Sequence, residues 1–71
     1  MTEALEEYRR VVSLTPDDAT AWGNLSATHA ELHHTAEAAE TYSKAVALAR
    51  SQRQWALLKR LEDWQRSRTA K

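Results

Sequence analysis

The chain repeats itself at a spacing of 34 residues. Ala4, Tyr8, Val12 and Leu14 return as Ala38, Tyr42, Val46 and Leu48; Glu3 and Glu6 return as Glu37 and Glu40, and Arg10 as Lys44. An echo at this period marks an array of two-helix units, each of which buries its apolar face only by stacking on its neighbours. No strand signal competes with that reading. The chain has one Gly and one Pro, three valines and no Phe or Ile, and no stretch alternates cleanly between apolar and polar.

Four helices are expected, over about 2–14, 18–33, 36–49 and 52–68, in one all-α domain spanning 1–71. In the first, Ala4, Leu5, Tyr8, Val11 and Val12 fall at helical steps, with Glu6 and Arg10 four apart on the outer face. Thr15-Pro16 stops it. Asp17 is the expected N-cap of the second helix, with Asp18 in its first turn; Trp22, Leu25, Ser26, His29 and Leu32 mark its inner face. Thr35 is the expected cap of the third, whose stripe is Ala38, Tyr42, Ala45, Val46 and Leu48, with Glu40 and Lys44 paired outside. Ser51-Gln52-Arg53-Gln54 reads as a capping box opening the fourth. There Trp55, Leu58 and Leu61 form one apolar line and Leu57, Leu61 and Trp64 a second, a band wider than a terminal helix packed on one side requires. Ser67 to Lys71 is expected to fray.

Size and charge narrow the possibilities further. A chain of 71 residues buries only about 60% of its surface, and without cysteine it has no staple. The acidic opening Met1-Thr2-Glu3-Ala4-Leu5-Glu6 reads as helix rather than signal peptide, and no apolar run approaches the roughly 20 residues of a membrane span. A cytoplasmic setting is expected from these features and from the missing cysteines. Formal charge sums to zero but divides sharply. Residues 1–49 carry three Arg or Lys against eight Asp or Glu, and residues 50–71 carry seven against two. An acidic body with a basic last helix steers charged partners.

At this point the residues resemble a tetratricopeptide repeat. Trp22, Leu25, Ala38, Tyr42 and Ala45 stand at the family's spacing, and Ala4, Tyr8 and Pro16 match the preceding half unit. The resemblance covers about Glu3 to Leu48, with the last helix similar to the solvating helix that closes such arrays. Ser26 stands at the family's glycine position, His29 at its aromatic position and Arg50 where proline ends a unit. The fold implied is a right-handed array of helical hairpins, one and a half repeats plus a capping helix. The chain opens in this register on the second helix of a repeat. That implies either a piece of a longer array or a surface, including parts of Leu5 and Val12, covered by another copy.

By resemblance, the function is that of a non-catalytic interaction module that holds a partner peptide or protein segment in a groove. The inward positions are then Thr20, Gly23, Asn24, Ala27, Ala30 and Glu31. Asn24 would anchor ligand backbone, and Arg53 or Arg60 would select acidic groups. The family's clamp for chaperone carboxylates needs basic residues where this chain has Gln54 and Leu58, and is disfavoured. The alternative is self-association into a homo-oligomer through exposed faces of the first and last helices: Leu5, Val12, Trp55, Leu58 and Trp64.

Chemistry finds little purchase. His29 and His33 are four apart, but no third ligand stands at helical spacing except Glu37 across a turn, so no metal site is expected. No nucleophile elbow, phosphate loop or cysteine is present, so neither an enzyme nor a cofactor is expected. The basic residues of the last helix interleave with Trp55 and Trp64, as nucleic-acid binders do. Helical spacing explains Trp55 as packing, and the acidic body opposes a polyanion, so a nucleic-acid partner is disfavoured.

Overall fold

A computed structural model describes residues 2–69. It is all-α: α1 is Thr2–Leu14, α2 Ala19–Glu31, α3 Thr35–Ser51 and α4 Trp55–Thr69, with no strand among the described residues. Helices adjacent in the chain are adjacent in space: α1 packs on α2, α2 on α3 and α3 on α4, with α2 and α3 the most extensively joined pair. The Cα atoms fill a slab of 34 × 30 × 16 Å, so each helix has few neighbours.

Small residues set how closely α2 and α3 approach. Ala19, Ser26, Ala38, Ala45 and Ala49 are all buried along their seam. The Ser26 hydroxyl donates to the Ala38 carbonyl at 2.9 Å, and Thr41, one turn on, donates to Glu37 and Ala38 at 2.8 and 3.2 Å. A hydroxyl at Ser26 thus satisfies its own buried polarity through the neighbouring backbone. Two apolar clusters result. Leu5, Val12, Ala21 and Leu25 hold α1 to α2, with Tyr8 and Leu32 against them. Ala19, Ala45, Ala49 and Leu61 hold α2, α3 and α4, with Tyr42, Val46, Leu48, Leu57 and Leu58 around them. Trp22 packs against both clusters, and its indole N–H donates to the Pro16 carbonyl at 2.7 Å.

The helix ends differ from expectation in instructive ways. Asp18, not Asp17, is the cap of α2: its carboxylate accepts the Ala21 amide at 3.2 Å while its backbone is extended. Asp17 instead offers its carbonyl to the Gln52 side-chain amide at 2.6 Å. Thr35 is already helical, and His34 occupies the cap position of α3 with no side-chain cap bond. The capping box does not form, because α3 runs through Ser51. Its end and that of α2 close in the same way. Arg53 adopts φ 57° and His33 φ 63°. Around them Arg53 N–H donates to Arg50 and Gln54 to Ala49; His33 donates to Ala30 and His34 to His29. These are Schellman closures, which ordinarily place glycine at the left-handed residue.

Surface charge pairing contributes little. Among the described residues neither Glu6–Arg10 nor Glu40–Lys44 comes within ion-pair distance; Lys44 places its ammonium 5.9 Å from the Trp22 ring centre instead. An exposed Arg66–Asp63 pair at 3.5 Å is of a kind that adds at most about 1 kcal/mol. Fraying was expected from Ser67, but α4 is continuous to Thr69; Ala70 and Lys71, also part of that expectation, lie outside the described residues.

Candidate functional site

The cap at Asp18 and the closure at Arg53 fix where α2 and α4 begin, and the two helices form the walls of a groove. It has a volume of about 230 Å³ and is lined by Thr20, Gly23, Asn24 and Ala27 from α2 and by Leu57, Arg60, Leu61 and Trp64 from α4. The α2 wall is small by composition. Gly23 lets α4 close down: a β-carbon there would stand 3.0 Å from Leu61 Cδ2, so even alanine would force Leu61 to give way. The α4 wall is large and apolar. Trp64 lies against Tyr42 with ring centres 6.1 Å apart and tilted by 37°, and the Arg68 guanidinium lies 4.8 Å from the Trp64 ring centre. Trp64 thus contacts both a ring and a cation. Burial, with the Glu62 carboxylate adding to it, pushes the Tyr42 phenol above its ordinary value.

Arg60 is the one ionisable residue in the lining, and it makes no ion pair among the described residues. The groove therefore offers one positive charge beside an apolar floor. Asn24 is exposed at the lip; its carbonyl accepts the Thr28 hydroxyl at 3.0 Å, and its side-chain amide can donate and accept at once.

Of the eight residues expected to hold a partner, Thr20, Gly23, Asn24, Ala27 and Arg60 meet in this groove. Ala30 and Glu31, a turn further along α2, do not line it, and neither does Arg53, which sits in the α3–α4 turn. The residues expected to mediate self-association divide differently. Leu5 and Val12 are core residues, 9% and 8% exposed, because Ala21 and Leu25 of α2 cover them. Leu58 is packed against the second cluster, and Trp64 lines the groove. Trp55 alone of the five is open to water, at 58%. Leu57 and Leu61 were not expected in the groove. Their signal was the unusual width of the apolar band on α4, which needed two surfaces to cover it.

The histidines form a pair of a different kind from the one their spacing suggests. His29 meets His34, not His33, with Nδ1 atoms 3.1 Å apart and ring centres 5.3 Å apart. One of the two facing nitrogens must donate and the other accept, so the accepting Nδ1 carries no proton. His29 is 4% exposed. Burial pulls its pKa below the ordinary value, helped by His34 and Arg9 and opposed by Glu37. Among the described residues no three His, Cys, Asp or Glu side chains gather around a common point that a metal could occupy, and no helix is long and apolar enough to cross a membrane. No family model matches this sequence, and no characterised protein or solved structure is significantly similar to it.

Proposed function

We propose that the chain is a non-catalytic module, built on the tetratricopeptide plan, that holds a segment of a partner protein in the groove between α2 and α4. The observation that carries this reading is the groove's form. At about 230 Å³ it falls below the roughly 300–1,000 Å³ that encloses a small-molecule ligand, yet it suits one or two side chains of an extended chain. The wall supplied by Gly23 and Ala27 admits such a side chain, the face of Trp64 covers it, and Asn24 bonds the passing backbone. Arg60 favours a carboxylate beside the apolar residue, so acidic segments bind best and their affinity falls with rising salt.

Panning a random-peptide library against the protein and against an Ala27→Trp variant tests this. The tryptophan fills the groove from the half-buried Ala27 on its α2 wall, and far-UV dichroism checks that helicity is kept. Sequences that enrich on the parent chain and fail on the variant are expected, with an apolar residue next to Asp or Glu. Enrichment that survives the filled groove contradicts the reading.

A further inference from the structure

Of the three large apolar side chains that stand open to water among the described residues, Val11 on α1 is the least exposed, at 38%, and the other two share one end of the molecule. Leu14 is 74% exposed and Trp55 58%. Leu14 ends α1 and Trp55 begins α4. The Gln52–Asp17 bond at 2.6 Å ties the loop after Leu14 to the turn before Trp55. That same end carries charge of both signs. Asp17 and Asp18 lie in the α1–α2 loop, Arg50 and Arg53 at the close of α3, and all four are exposed. No ion pair joins either aspartate to either arginine among the described residues.

A patch with an acidic half, a basic half and apolar side chains alongside is complementary to itself. A two-fold axis sets the acidic half of one copy against the basic half of the other. A partner of one charge sign would be attracted by one half and repelled by the other, and like charges brought together cost heavily. The charge pattern therefore selects a second copy of this chain. We propose that this loop end is a homodimer contact, with Leu14 and Trp55 at its centre and Asp17 facing the partner's Arg53.

Its size sets its strength. Two partly exposed side chains from each copy cover less than the roughly 1,200 Å² of a standard interface, so the dimer is weak and reversible. It also leaves the groove open. Leu57 lines the groove two residues after Trp55, and two residues along a helix turn a side chain by about 200°. The inference stands on different residues from the groove reading and does not depend on it.

Sedimentation velocity on the whole chain, from micromolar to millimolar, tests the proposal. The expected result is a mass that climbs toward the dimer with concentration and falls back in high salt. Trp55→Ser, or Leu14→Ser if the first variant loses helicity, is expected to stay monomeric. Asp17→Arg is expected to weaken association roughly tenfold or more, by setting two cations together. Adding Arg53→Asp restores the opposite pairing and should restore the dimer; aspartate tolerates the left-handed backbone at that position. A chain that stays monomeric throughout, a Trp55→Ser variant that associates like the parent, or a double variant no tighter than Asp17→Arg would each overturn the proposal.

Discussion

The two sides of α2 are packed on opposite terms. Toward α1 it meets large side chains: Leu5, Val12 and Leu25 fill the space, and their bulk holds the helices together. Toward α3 it meets small ones: Ala19, Ala45 and Ala49 are at most 1% exposed, and the helices approach until Ser26 can bond the Ala38 backbone. The first side gains stability from apolar volume, the second from close backbone contact with little volume to lose. The same economy on the second side leaves room beside Gly23 and Ala27, so the groove follows from the way that side is packed. One side should therefore fail when atoms are removed, the other when atoms are added.

Removal on the first side is expected to have the largest effect. Leu25→Ala deletes a side chain that is 4% exposed and should cost about 2–5 kcal/mol, read from urea unfolding. Addition on the second side comes next. Ala45→Leu forces bulk into a position that is 0% exposed and should cost about 1–3 kcal/mol in the same assay. If Ala45→Leu proves neutral, the seam is looser than its burial implies and the contrast between the two sides collapses.

The smallest effect concerns the α2–α3 turn, where groups from both sides reach His29. Its folded pKa lies below the unfolded value, so the unfolded chain binds the extra proton first. The stability held with His29 neutral is complete above the ordinary histidine pKa of about 6.5 and drains away as pH falls through and below it. Urea midpoints should drop on acidification across that window. His29→Gln, which takes no proton at that position, should flatten the drop. An equally steep drop in the variant would place the acid sensitivity elsewhere, among the carboxylates.

Much of this was legible in the residues. The apolar stripes of α1 and α3 and the small residues Ala38 and Ala45 were readable because they obey helical spacing. Four of the groove residues, Thr20, Gly23, Asn24 and Ala27, came from the family resemblance, and Arg60 from the charge of the last helix. The misreadings share a physical cause: they fall where a residue does something its type does not advertise. His33 and Arg53 take the left-handed backbone that glycine usually signals, so α2 was expected to run two residues too long and α3 to stop two residues early. Asp17 and Asp18 are chemically equal as caps, and only the fold decides that one carboxylate reaches Ala21 while the other residue's carbonyl takes Gln52. Leu5 and Val12 were read as uncovered because a missing helix was assumed to be their partner; Ala21 and Leu25 supply the cover instead. His29 was read as a packing residue and is buried; its contact with His34 was not foreseen, because it depends on how the turn closes.

The measurement that bears most directly on the groove is an amide chemical-shift map of the labelled chain, titrated with the best peptide from the panning. The chain has a single glycine, so Gly23 gives an isolated reporter at the groove wall. Saturable shifts are expected to centre on Gly23, Asn24, Ala27, Leu57, Arg60, Leu61 and the Trp64 indole, with Leu14 and Trp55 little moved. Shifts centred on the Leu14–Trp55 end, with Gly23 unmoved at saturation, would contradict it.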